Sequence, residues 1–175
     1  MPAHLFDLSG RVAVVTGGAT GLGLGMAEAL ISLGCTVSIW GRRPAIVKEA
    51  AEKIGASFQI CDVADKSAVD ETFAKTLAHH GRVDGMFANA GIADPRATSL
   101  DRDAEAWRRV LAVNVEGVAY CFRAAAVHMR ERAKAGDPFG RLVGTSSVAS
   151  IMGAAYNEHY GASKGAVNSM VRALA

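Results

Sequence analysis

A short β-branched run at residues 11–16 (RVAVVT) ends in a glycine turn, Thr16-Gly17-Gly18-Ala19-Thr20-Gly21-Leu22-Gly23, which leads straight into a stretch of helical period. So tight a turn needs residues that accept positive φ and let other groups approach the backbone. The helix beyond would offer free N–H groups and the positive end of its dipole to a phosphate. Strand, turn and helix in this order are the context of a dinucleotide-binding turn. Gly21 and Gly23 fit the G-x-G-x-x-G spacing, and Met26 takes its third glycine position. The plainer alternative is a βα turn without a ligand.

The same alternation continues along the chain. Strand-like runs stand at 36–40 (TVSIW), 57–61, 83–88 and 141–145. Between them, residues 21–34 place Leu22, Met26, Ala29, Leu30 and Leu33 on one helical face. Residues 44–54 read as a helix opened by Pro44, and 66–80 as one with Val69, Phe73 and Leu77 in phase. Residues 91–100 read as a loop containing Pro95. Residues 104–133 form the longest helical stretch, with Val115, Val118, Ala119, Phe122, Ala125, Ala126 and Met129 holding a 3.6 period. The chain is helical again from 157 to its end. This β-α alternation predicts a parallel sheet with helices on both faces, and right-handed crossovers make it doubly wound. With no repeat and no linker, residues 1–175 read as one domain.

Composition narrows the partners. The net charge is +2 and no basic block exceeds Arg42-Arg43, which argues against nucleic acid and anionic membranes. No apolar run reads as long enough to span a membrane, and the first residues lack the features of a signal peptide. Cys35, Cys61 and Cys121 lack metal-ligand spacing and read as buried thiols of a reducing compartment, so no metal is expected and the cytoplasm is the expected location.

Tyr160 and Lys164 are four residues apart and share a helix face. An ammonium beside a phenol favours the phenolate, which suits Tyr160 to general acid/base work. The plainer alternative is an exposed Tyr–Lys pair on a surface helix.

Several motifs, taken in order, resemble the short-chain dehydrogenase/reductase family. The turn from Thr16 has the spacing T-G-x-x-x-G-x-G. Ala88-Asn89-Ala90-Gly91 stands where the family has N-N-A-G. Val113-Asn114-Val115 lies in the long helix, Ser146-Ser147 follows the fifth strand-like run, and Tyr160-Gly161-Ala162-Ser163-Lys164 supplies Y-x-x-x-K. The resemblance implies an α/β, Rossmann-type doubly wound sheet of order 3-2-1-4-5 and an oxidoreductase that interconverts a carbonyl and a secondary alcohol with a nicotinamide cofactor. It implies Tyr160 as general acid/base and Ser147, thirteen positions earlier, as hydrogen-bond donor to the substrate oxygen. Ser146 is expected to be structural or to face the cofactor. The carbonyl of Asn114 would hold a water linking Lys164 to solvent, and Lys164 would also bind the nicotinamide ribose. Gly17, Thr20, Gly21, Leu22 and Gly23 would form the cofactor turn. Asp62, with Val63 beside it, would meet the adenine. Asn89, Ala90 and Gly91 would edge the cofactor. His159 would be a bystander near the site mouth.

An NAD site carries an acid about 20 positions past the glycine turn. That position is Gly41, followed by Arg42 and Arg43. An Arg fork suits a 2′-phosphate, so NADP(H) is favoured over NAD(H), with Arg42 the main contact and Arg43 flanking it.

Two departures stand out. Ala88 replaces the family's first Asn. The sequence also stops at Ala175, within the helix of Tyr160, whereas the family continues through two more strands and a segment that closes over substrate. A fragment of a longer enzyme is the favoured expectation, with the fifth strand left at an open sheet edge. A cofactor-binding module without turnover and a nucleotide-sensing interaction protein stay open. The expected substrate is a small-molecule carbonyl or alcohol of undefined class. The long and last helices are expected to build a homo-oligomer, a dimer or tetramer.

Overall fold

The computed structural model describes residues 6–93 and 104–175. The first β-branched run becomes β1 (Val12–Thr16), and all five of its residues are buried. It pairs in parallel with β2 (Thr36–Gly41) on one side and β4 (Gly85–Ala88) on the other. Beyond β2 lies β3 (Ser57–Ile60), and beyond β4 lies β5 (Arg141–Gly144). The sheet order is thus β3-β2-β1-β4-β5, the doubly wound order expected. In β2, Val37, Ser38, Ile39 and Trp40 are all buried, because helices cover both faces of a parallel sheet.

Strand alternation divides the core. Ala13 and Val15 of β1 face one cluster with Ala27, Val37, Ile39, Val47 and Ala51. Val14 faces the other, with Val69, Phe73, Met86, Phe122 and Val167. The first cluster packs α1 (Gly21–Ser32) and α2 (Pro44–Ile54) on the sheet. The second packs α3 (Lys66–His80), α5 (Gly117–Lys134) and α7 (Glu158–Leu174). Asp65 caps α3 by accepting the Ser67 and Ala68 amides at 2.8 and 3.2 Å.

Several details depart from the sequence reading. The apolar stripe expected on α1 is only partly its inner face: Met26 and Leu30 pack against the first cluster, but the fully buried residues are Gly23 and Ala27, and Leu22 and Leu33 are exposed. Small residues let α1 approach the sheet closely, so bulk is no guide to the inner face there. The long helix is not uniform. It begins as α4 (Ala104–Leu111), widens to a π-helical turn over Ala112–Glu116, and continues as α5. A short helix, α6 (Ala149–Met152), precedes α7. Contrary to the sequence reading, the helical run Ala104–Lys134 is long and apolar enough to cross a membrane by length and composition. Its buried residues Val118, Cys121, Phe122 and Ala125 belong to the second core cluster, which accounts for its apolar character. Pro95 and most of the 91–100 loop lie outside the described residues, as does His4.

At the sheet end remote from the glycine turn, Asp84 is 2% exposed. It accepts the Val12 amide at 2.9 Å and pairs with Arg82 (2.6 Å), Arg132 (2.9 Å) and Arg11 (3.3 Å). This cluster ties β1, β4 and α5 together.

Candidate functional site

The turn after β1 is shaped by close backbone approach. Gly17 has φ +63 and Gly21 φ +55, a region that favours glycine. A Cβ on Gly23 would lie 2.2 Å from the Gly17 carbonyl oxygen and 2.5 Å from Asn89 Nδ2. Thr20 at the start of α1 makes no side-chain cap bond, which leaves the first-turn amides to whatever occupies the space before them.

That space is a cleft of about 650 Å³ at the C-terminal ends of the strands. Gly17, Thr20, Leu22, Gly23, Arg42, Arg43, Asp62, Val63, Asn89, Ala90 and Gly91, expected from sequence to bind cofactor, all line it. Gly21, in the turn itself, and Tyr160 and Lys164 on α7 are not among the lining residues. The lining also includes Trp40, Ile46, Ile92 and Val113, whose apolar character carried no functional signal in the sequence.

A polar chain fastens the cleft floor. Asn89 Nδ2 donates to the Thr16 carbonyl at 3.1 Å, and the Asn89 and Ala90 amides both donate to Thr16 Oγ1 at 3.0 Å. Thr145 Oγ1, beyond β5, donates to Asn89 Oδ1 at 3.1 Å. Thr145 therefore joins the site, a role its place beside Ser146-Ser147 did not reveal.

Thr145 also leads to Lys164, which is 3% exposed and donates from Nζ to the Thr145 carbonyl at 2.7 Å. Burial pulls the Lys164 ammonium below its ordinary range. Nζ stands 5.6 Å from the centre of the Tyr160 ring, and with Lys164 buried and Tyr160 half-buried the two are not an exposed surface pair. Gly91 joins this group to the cleft: a Cβ there would lie 3.4 Å from Lys164 Nζ and 3.3 Å from Asn114 Oδ1.

Asn114 is fully buried in the π turn. Its Oδ1 accepts the Ile92 amide at 2.8 Å, and its Nδ2 donates to the Ile92 carbonyl at 2.9 Å and to Ser163 Oγ at 3.0 Å. Ser163 Oγ in turn donates to the Tyr160 carbonyl at 2.7 Å. Ser147 Oγ accepts the Ala149 amide at 3.2 Å. Ser146 Oγ donates to the Lys164 carbonyl at 3.3 Å, which fits the structural role expected of it. Past Ser147, the large side chains Val148, Ile151, Met152 and Tyr156 are exposed.

His159 is not at the site mouth. It is fully buried, its ring 5.8 Å from that of Trp107 on α4, because the first turn of α7 turns it inward. Cys35, Cys61 and Cys121 are free and buried. Burial pushes the Cys61 thiol up at the cleft wall, and that of Cys121 up to about 12, so neither suits a thiolate role.

Known proteins resemble the chain in sequence and fold. The model of the short chain dehydrogenase family matches residues 11–175. "Short-chain dehydrogenase reductase 5" of Arabidopsis thaliana is 36% identical over 168 residues, which cover 94% of this chain and 63% of that protein. Secoisolariciresinol dehydrogenase of Forsythia intermedia is 35% identical over 173 residues, covering 96% and 60%. The chain spans less than two thirds of the length of these two relatives. Among solved structures, 3-ketoacyl-(acyl-carrier-protein) reductase from Brucella melitensis, complexed with NADH, superposes with a TM-score of 0.93 at 30% identity. That match covers 97% of this chain and 70% of the reductase.

Proposed function

The chain belongs to the short-chain dehydrogenase family, and from that premise we propose that it is the cofactor-binding and catalytic part of an NADP(H)-dependent oxidoreductase acting on a carbonyl or secondary alcohol. One observation carries the reading: Gly91 lines the dinucleotide-sized cleft and stands against Lys164 Nζ and Asn114 Oδ1, so the lysine lies directly behind the cleft wall.

The residues present fit a nicotinamide dinucleotide. The Gly17–Gly23 contact leaves no room for a Cβ and opens the turn to a diphosphate at the uncapped start of α1. Arg42 and Arg43 follow β2 and line the cleft, and their guanidinium groups suit a 2′-phosphate. When bound, the nicotinamide supplies the hydride chemistry. Tyr160 gives its phenolic proton to the carbonyl oxygen in reduction and takes it back in oxidation. Ser147 Oγ donates a hydrogen bond to the same oxygen, where charge develops. Lys164 has three donors; one is held by Thr145, and the others serve the ribose hydroxyls. The main-chain carbonyl of Asn114 holds a water on the path from Lys164 to solvent. The exposed apolar side chains past Ser147 suit a substrate with an apolar body.

The test is a fluorescence titration of the 175-residue chain with NADPH and, in parallel, NADH. Saturable binding that favours NADPH is expected. Tyr160→Phe and Ser147→Ala should keep that binding, and in the catalytically competent protein Tyr160→Phe should lose about 10²–10⁴-fold in turnover. Binding of neither nucleotide sinks the reading.

A further inference from the structure

Arg42 Nη1 lies 3.7 Å from Asp62 Oδ2, and both line the same cleft. The backbone sets this meeting. Gly41 of β2 pairs with Ile60 of β3, and the Cys61 amide donates to the Gly41 carbonyl at 3.0 Å. Arg42 follows Gly41 and Asp62 follows Cys61, so the two emerge side by side. Asp62 is the better fixed, since its Oδ1 accepts the Ala64 amide at 3.1 Å and its other oxygen faces Arg42. Among the described residues that line the cleft, Asp62 is the one carboxylate.

We propose that Asp62 is a counter-charge that sets dinucleotide specificity: it engages Arg42 and so limits the preference for a 2′-phosphorylated nucleotide. This rests on reading the cleft as a nicotinamide dinucleotide site, and it goes beyond an adenine contact. A 2′-phosphate drawn to Arg42 carries about two negative charges and must displace or face the fixed carboxylate. A ribose 2′-hydroxyl meets no such repulsion. Arg42 alone would give strong discrimination for the phosphate; Arg42 paired with Asp62 gives less and leaves NADH usable. Both side chains are about half exposed, 56% and 46%, so the effect is modest and sensitive to salt.

The experiment measures the dissociation constants of NADPH and NADH for the full chain and for Asp62→Asn, by fluorescence at low and high salt. Asn keeps the oxygen that accepts the Ala64 amide and removes the charge. Asp62→Ser, whose hydroxyl can take over that acceptor role, serves if Asn disturbs the turn. The NADH-to-NADPH ratio of dissociation constants should rise about two- to fivefold in the variant, mainly through tighter NADPH binding. The rise should shrink at high salt. A role confined to the adenine weakens both nucleotides equally and leaves the ratio unchanged; that result, or a lowered ratio, overturns the proposal. If the unsubstituted chain binds neither nucleotide, the reading of the cleft falls first and the inference with it.

Discussion

Lys164 Nζ donates to the main-chain carbonyl of Thr145 at 2.7 Å from a position only 3% exposed, so an ammonium is held inside the fold at the end of β5. The same Thr145 reaches Asn89 through its hydroxyl, and Asn89 reaches Thr16. The lysine is thereby tied to the glycine turn across three strands.

Such a lysine is held against its stability interest. Burial lowers its proton affinity from the ordinary 10.5, so between the lowered folded value and 10.5 the unfolded chain binds more protons than the folded one. Stability should therefore rise with pH through that window, and the desolvation penalty should be fully present below the lowered folded value. Lys164→Met, which removes the charge and keeps the length, should melt at pH 7 no lower than the parent, with a gain of up to about 2 kcal/mol. The gap should close as pH approaches 10.5. Thermal melts of both proteins from pH 7 to 10.5 check this. A variant less stable at every pH would mean that the Thr145 hydrogen bond outweighs desolvation.

Asn114 should be less replaceable. Its side chain satisfies the Ile92 amide and carbonyl together, and both, half-buried, would lose their partner in Asn114→Ala. Each unsatisfied group costs about 1–3 kcal/mol, so a loss of about 2–5 kcal/mol is expected in urea unfolding. Ser163→Ala removes one acceptor of the same network and should cost about 1 kcal/mol. Equal losses for the two would show that the Ile92 contacts carry little.

These contrasts track what could be read from the chain. The glycine turn was legible because close approach and positive φ restrict residue choice locally. The sheet order was legible through the ordered motifs. The role of Asn114 was not, because its side chain is held by the main chain of Ile92, 22 residues away. The burial of His159 was hidden for the same reason: its neighbour Trp107 belongs to α4. The Arg42–Asp62 pair follows from the register of β2 on β3, and a composition count sees only two separate charges. The apolar stripe on α1 marks its inner face only at Met26 and Leu30, because the small residues Gly23 and Ala27 are the ones buried there.

Asp84 supplies the acid-sensitive contact. Burial pushes its carboxyl up, but hydrogen bonds from Arg82 and the Val12 amide and the charges of Arg132 and Arg82 outweigh burial and hold it below the ordinary 3.8. Its contribution is therefore fully present above 3.8 and is lost as pH falls through the lower folded value. Asp84→Asn removes the buried carboxylate of Arg132, which keeps Asp137 at 2.8 Å, and should cost about 1.5–3 kcal/mol at pH 7. The difference between parent and variant should narrow only below pH 3.8. Urea unfolding at pH 7, 5 and 3 reads this directly, and a difference that narrows already at pH 5 would argue against a depressed Asp84.

Two glycines on α1 separate backbone approach from helix propensity. Gly25 is exposed, and a Cβ there meets nothing within 4 Å. Gly25→Ala should therefore stabilise the chain by about 0.5–1 kcal/mol, since alanine has less freedom to lose on folding. Gly23, two residues earlier, would bring a Cβ to 2.2 Å from the Gly17 carbonyl oxygen, and backbone cannot swing aside as a side chain can. Gly23→Ala must therefore displace the start of α1 or the turn itself, at a cost of about 1–3 kcal/mol. The same displacement moves the amides proposed to hold a diphosphate, so NADPH should bind at least about tenfold more weakly, while Gly25→Ala binds as the parent does. Paired melts and NADPH titrations decide the matter. If Gly23→Ala loses stability but keeps its affinity, the close contact serves packing alone and the diphosphate must be held elsewhere in the cleft.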